Sequence, residues 1–388
     1  MQDITALADS LALMSGVKLN NLRRLVVKIG SSLLITRDGR LDRDWLSGLA
    51  EDIAALRSGN GQVLIVSSGA IAIGSNVLGI NPRRSRLDEL QAAAAAGQVQ
   101  LVHAYQEALG EHGVAAAQVL LTLEDTENRR RFLNAKGTLG KLLEHRVVPV
   151  INETDTVATE EIRYGDNDRL AARVAQMVMA DGLVLLSDVD GFYTADPGEH
   201  PDAEHIATVE KISDEMFAFA GESRSEFGSG GMATKLQAAR IATRAGCSTI
   251  VASGAIDRPL QALAQGSKCT VFNAEGTPAA ARKQWLAGIL EVRGELRMDP
   301  GAATALANGN SLLPVGLVEV VGDFRRGDVV RLAGANGEEL GRGLASYPSD
   351  EAAEIIGCRS AQIEPKLGYR GRTVMVHRDD LVLFGSES

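Results

Sequence analysis

Between Arg23 and about Asn273, short β-branched runs alternate with stretches of helical periodicity, and nothing else in the chain restricts its fold as much. Strands joined through helical crossovers must run side by side in one direction, so the alternation predicts an α/β domain: a mainly parallel open sheet covered by helices. The strands read from the runs are Leu25 to Ile29, Val63 to Ser67, Val147 to Ile151, Leu183 to Ser187, Thr249 to Ala252 and Thr270 to Phe272. Between them Trp45, Leu49, Ile53 and Leu56 share one helical face, as do Leu170, Val174 and Met177, and the Ala-rich stretch Leu87 to Leu109 is a strong helix former.

After Ala274 the alternation stops. A connector over 276–292, with Gly276, Pro278 and a short helix around Trp285, leads to a region from Arg293 onward whose short strands are separated by Gly, Asn and Asp turns. Leu317 to Val321, Val329 to Leu332 and Val374 to Val376 are the strands expected there, in a small, mostly β domain over 293–388. Residues 1–22 read as an extension ahead of the main domain, 23–275. A length of 388 residues suits two domains.

Composition narrows the partners. The formal net charge of -10 disfavours nucleic acid or an anionic membrane, both of which call for a broad positive surface. From Arg293 on there are 11 Lys and Arg against 14 Asp and Glu, a poor footprint for RNA. No apolar stretch approaches the roughly 20 residues of a membrane span, and Asp3 and Asp9 stand where a signal peptide would carry Lys or Arg, so a cytosolic protein is expected. Three scattered cysteines suggest neither a disulfide framework nor a zinc site, and no metal-ligating set is predicted.

Four segments are richer in chemistry than turns require. The first strand ends Lys28-Ile29-Gly30-Ser31-Ser32; a buried lysine needs an anionic partner, either a carboxylate of the protein or the phosphate of a ligand approached through Gly30. The second ends Ser67-Ser68-Gly69-Ala70, where the hydroxyls could serve a ligand at the strand end or simply cap the next helix. The third joins Asn152, Glu153 and Asp155 to Asp166, Asn167 and Asp168. Carboxylates and amides so gathered could meet an ammonium group, a divalent cation or a pair of lysines. The fourth, Gly228-Ser229-Gly230-Gly231-Met232-Ala233-Thr234-Lys235, opens a helix and offers a phosphate nest with a lysine behind it, or else a flexible hinge.

Only nine residues are lysine in a chain that prefers arginine, and two of them stand in these Gly-rich turns, as suits a migrating phosphoryl group. No histidine falls in the four segments, which is compatible with an acceptor already ionised at neutral pH, such as a carboxylate.

Taken in order with Val148-Pro149-Val150-Ile151 and the Gly191 to Pro197 loop, the segments resemble the amino-acid kinase family, in particular its glutamate-phosphorylating members. The resemblance implies a three-layer α/β/α sandwich. It assigns Lys28, Asp168 and Lys235 to catalysis, and Ser68, Gly69, Ala70, Asn152, Asp155, Asp166 and Asn167 to the amino-acid substrate. Lys28, Gly30, Ser187, Asp188, Ser229, Gly230, Gly231, Met232, Ala233, Thr234 and Lys235 would hold ATP, with Mg2+ bridging the phosphates. It further implies ATP-dependent phosphorylation of the L-glutamate side chain to L-glutamyl 5-phosphate as the first step of proline biosynthesis. Proline would act as feedback inhibitor, glutamyl phosphate reductase as functional partner, and the chain would form a homo-oligomer, a dimer or tetramer. From Gly301 onward the chain resembles the PUA domain, a small β pseudo-barrel. Thr154 stands where the family commonly has asparagine.

Overall fold

The computed structural model describes residues 19, 22–36, 39–157, 167–220, 231–287 and 291–384. It divides into two compact units, Met1–Pro278 and Ala279–Ser388.

In the first unit the strands are β1 (Arg24–Ile29), β2 (Gln62–Ser67), β3 (Ala116–Leu121), β4 (Val148–Glu153), β5 (Gly182–Ser187), the short pair β6 (Phe192–Tyr193) and β7 (His205–Ile206), β8 (Thr208–Val209), β9 (Ser248–Ser253) and β10 (Cys269–Phe272). Eight of them form one sheet in the order β3-β4-β2-β1-β5-β9-β10-β8. All neighbours are parallel except β9 and β10. From β1 the chain first builds towards β2 and later returns to add β5 on the other side. The order therefore reverses beside β1, and the crevice at the carboxyl ends of such strands is where an open α/β sheet binds ligands.

Strand alternation decides what each face carries. Val27, Ile29, Val63, Ile65 and Val150 point into one core with Trp45, Leu49, Ile53, Leu101 and Tyr105, from the helices Arg43–Ser58 and Leu87–Gly110. Val26, Leu64, Val66, Ile151 and Leu185 point into the other, with Leu170, Val174, Leu236 and Ala239 from the helices Asn167–Val178 and Met232–Arg244. Two cores on opposite faces make the three layers. Lys28 shares the face of Val26, and so projects towards the latter pair of helices, an unusual address for an ammonium group.

The second unit holds a separate five-stranded sheet, β12-β11-β13-β14-β15, from β11 (Gly294–Met298), β12 (Leu317–Gly322), β13 (Val329–Ala333), β14 (Glu339–Leu344) and β15 (Leu381–Leu383). Leu296, Leu332, Phe324, Tyr347 and Ile355 are among its core residues. The strand expected over Val374 to Val376 is absent: Val376 makes only an isolated bridge to Leu312, because β15 occupies the edge beside β14. All three cysteines are buried and free. Among the described residues no helix is long and apolar enough to cross a membrane.

Candidate active site

Lys28 receives its anion from the helix Asn167–Val178. Its Nζ lies 2.5 Å from Asp168 Oδ1, and Lys235, in the first turn of Met232–Arg244, places its Nζ 3.4 Å from Asp168 Oδ2. Thr234 Oγ1 donates to the same Oδ2 at 2.9 Å. Asp168 is wholly shielded from solvent. Burial alone would favour its neutral form, yet Lys28 and Lys235, helped by the hydrogen bonds from Lys28 and Thr234, hold the carboxyl down at about 2. Three elements far apart in sequence thus meet on one carboxylate, leaving two cations against one anion, a surplus of positive charge fit for a phosphoryl group.

Beside this bridge stands an uncapped helix start. Met232–Arg244 has Gly231 at its N-cap in extended conformation, and no side chain caps it. Its first-turn N–H groups and positive dipole end remain for an anion. Ser187 ends β5, buried, with its Oγ accepting from Val189 N, and the exposed Asp188 follows it. Gly30 N–H, expected to reach phosphate, donates instead to Leu186 O at 3.3 Å. Nor does Gly30 need its glycine for conformation, since φ is -72°.

The β2 and β4 ends build the other half. The helix Ala70–Leu78 is entered through Gly69 at φ 107°, a left-handed position that favours glycine, and no serine caps it. This removes the capping alternative for Ser67 and Ser68. Ser67 Oγ instead pairs with Tyr105 OH at 2.9 Å, and Ser68 Oγ accepts from Asn167 Nδ2 at 2.9 Å. Asn167 Nδ2 also approaches Ser67 O and Asn152 Oδ1, at 3.2 and 2.9 Å, and Asn152 Nδ2 donates to Gln98 Oε1 at 2.8 Å. The Asn167 Oδ1 atom is buried and has no hydrogen-bond partner among the described residues. Asp155, in a single 3-10 turn after β4, is half-buried, and desolvation lifts its carboxyl to about 6. A desolvated carboxylate and an unmatched acceptor are each groups that an ammonium ion would suit.

Among the described residues of the acidic segment, Asp168 meets the pair of lysines and Asp155 is desolvated, as would suit an ammonium ion. Asp166, Ser229 and Gly230 lie outside the described residues. Gln98 and Tyr105 were missed by sequence reasoning. Both stand on one face of an Ala-rich helix, seven residues apart, where a polar residue reads as solvent-facing. That helix docks against Ala70–Leu78 backbone to backbone: a Cβ on Gly74 would lie 1.7 Å from Ala93 O, and one on Gly97 would lie 1.9 Å from Ala70 O. Both glycines are required for the approach, which sets the helix start at Gly69 and Ala70 against its support.

Residues 23–253 match the amino acid kinase family. The chain belongs to the amino acid kinase family. Residues 288–367 match the PUA domain, so the separate strand-rich unit belongs to that class. Over 365 residues the chain is 55% identical to "Glutamate 5-kinase 1" of Rhizobium meliloti (strain 1021), covering 94% of this chain and 93% of the relative. It is 54% identical over 368 residues to "Glutamate 5-kinase" of Rhizobium rhizogenes (strain K84 / ATCC BAA-868), covering 95% of each. It is 55% identical over 359 residues to "Glutamate 5-kinase" of Rhodospirillum rubrum, covering 92% of this chain and 96% of the relative. As a member of this family the chain is a kinase.

Proposed function

We propose that the chain transfers the γ-phosphoryl group of ATP to the side-chain carboxylate of L-glutamate, giving L-glutamyl 5-phosphate and ADP. The observation that carries the reading is the junction of Lys28 and Lys235 on Asp168 at the carboxyl edge of the sheet. Glutamate as acceptor is supported by the 53–55% identical relatives, which are glutamate 5-kinases. Asp155 suits the α-ammonium of free glutamate and would have no role towards an N-acetylated one.

A glutamate carboxylate oxygen attacks the γ-phosphorus in line, the bond to the bridging oxygen of ADP breaks, and ADP leaves with that electron pair. The acceptor is already ionised, so no base is needed, and catalysis consists of positioning and charge stabilisation. Lys28 and Lys235 neutralise the equatorial oxygens, Asp168 holds both ammonium groups in place, and the first-turn N–H groups of Met232–Arg244 hold ATP phosphates. Among the described residues no group of three or more His, Cys, Asp or Glu is arranged to hold a metal ion, and Asp168 is committed to its lysines. Mg2+ would accordingly arrive on the ATP phosphates, where it would neutralise charge.

The acyl phosphate product is labile, so a reductase should consume it promptly, as in proline biosynthesis. Proline, with a carboxylate and a secondary ammonium, would compete at the Asp155 end. The test is ADP release with glutamate, N-acetylglutamate and aspartate in turn, each with and without proline. Glutamate should be the preferred acceptor and proline should raise its KM; faster turnover with N-acetylglutamate would overturn the reading.

A further inference from the structure

The glutamate end holds a chain of three side-chain amides, Gln98, Asn152 and Asn167, that are 8%, 3% and 7% exposed. Its polarity is fixed from one side. Ser67 O is a carbonyl and can only accept, so the atom of Asn167 facing it must be Nδ2, and Oδ1 is turned the other way. Asn152 must then offer Oδ1 to Asn167, at 2.9 Å, and its own Nδ2 needs an acceptor. Gln98 Oε1 is that acceptor, at 2.8 Å. At either end of the chain stands a buried atom with no partner among the described residues: Gln98 Nε2 and Asn167 Oδ1. A buried polar atom left unmatched is costly, so an unmatched acceptor on a residue of the substrate end is best explained by a donor that arrives with the ligand.

Resting on the glutamate reading above, we propose that Gln98 is a positioning residue for the amino-acid substrate. It acts through Asn152 to keep the Asn167 amide turned so that Oδ1 accepts from the substrate ammonium, alongside the Asp155 carboxylate. Gln98 itself need not touch the substrate. Its own placement is firm, because the helix that carries it is locked against Ala70–Leu78 by the Gly74 and Gly97 contacts and tied to β2 through Tyr105 and Ser67. Strand register explains why the connection forms here: Asn152 shares the strand face of Val148 and Val150, which the helix Leu87–Gly110 covers. Without an acceptor at position 98, the Asn152 amide can turn and present a donor to Asn167 Nδ2, which leaves Ser67 O and Ser68 Oγ alone, against that repulsion, to hold the amide whose Oδ1 faces the substrate.

The experiment compares steady-state constants of the full chain and of Gln98→Met, Gln98→Glu and Asn152→Ala, alone and combined. Gln98→Met, close in size but without an acceptor, should raise KM for glutamate about tenfold while KM for ATP stays within about twofold. Gln98→Glu keeps an oxygen towards Asn152 and should stay within about threefold of the unaltered KM. In the Asn152→Ala background, Gln98→Met should add nothing further, because its route to the substrate is already cut. Independent, multiplying effects of the two substitutions would overturn the proposal, as would an unchanged KM in Gln98→Met. Should Gln98→Met fail to fold, Gln98→Glu decides: a tenfold or larger rise in its KM counts against the proposal. Absence of glutamate-dependent ADP release from the unaltered chain would sink the glutamate reading itself, and this proposal with it; normal turnover with an insensitive Gln98 would sink this proposal alone.

Discussion

The Lys28–Asp168–Lys235 junction and the Asp155 and Asn167 region handle buried polarity in different ways. At the first, Lys28, Lys235 and Thr234 converge on Asp168, so both ammonium groups have an internal anchor although positive charge stays in excess. At the second, proposed for the amino acid, the bonding among the described residues is left incomplete, with a desolvated Asp155 and an unmatched Asn167 Oδ1. The difference follows from what each end must do. A cationic pair that has to stay aligned through a transition state gains from an internal anchor, whereas a recognition site gains from groups whose best partner is the ligand. The first end should therefore fail through turnover and folding, the second through affinity.

Asp168→Asn gives the strongest contrast. It leaves two buried ammonium groups without their counter-ion, and should lower stability at pH 7 by about 3–5 kcal/mol and turnover by about 10^3-fold. Urea unfolding reads the first and ADP release the second. The sign of the pH effect follows from the depressed carboxyl. Its contribution is in full force above the unfolded value of ~3.9 and is lost as pH falls through about 2. A variant as stable as the parent would remove the anchor from the account.

Asp155→Asn should behave in the reverse sense. Glutamate KM should rise about 100-fold through loss of the charged partner, while the unliganded protein melts at a higher temperature at pH 7. The reason is that a carboxyl raised to about 6 burdens the folded state at neutral pH, a burden relieved as pH falls through 6 towards the unfolded value of ~3.9. In the unaltered chain the same titration should raise glutamate KM by up to about tenfold for each pH unit below 6, with far less change in ATP KM. A glutamate KM flat between pH 5 and 7 would detach Asp155 from recognition. The smallest effect is expected of Thr234→Val, which deletes one hydrogen bond to Asp168 and should cost about 1 kcal/mol of stability, leaving glutamate KM unchanged.

The two ends also differed in how far the sequence exposed them. Lysines inside Gly-rich turns and an acidic run at a strand end are conspicuous, and Lys28, Asp168 and Lys235 could be picked out as chemistry before their meeting was visible. The central strands β1, β2 and β5 were legible for a related reason: buried on both faces, they are continuous apolar runs. Strand β3 was not, because as an edge strand it is half-exposed and opens with two alanines. In the second unit β14, Glu-Leu-Gly-Arg-Gly-Leu, has little intrinsic β propensity and owes its form to pairing with β13 and β15. The supports of the amino-acid end were hidden likewise. Gln98, Tyr105, Gly74 and Gly97 acquire meaning only through contacts between distant elements, which no local pattern records.

The part given to Lys235 is read out by Lys235→Ala, assayed for glutamate-dependent ADP release together with glutamate binding. In this variant kcat should fall by about 10^3-fold while glutamate affinity changes less than about threefold, because this ammonium acts on the group in flight and not on the resting acceptor. Turnover equal to that of the unaltered chain, or a loss confined to glutamate affinity, would contradict it.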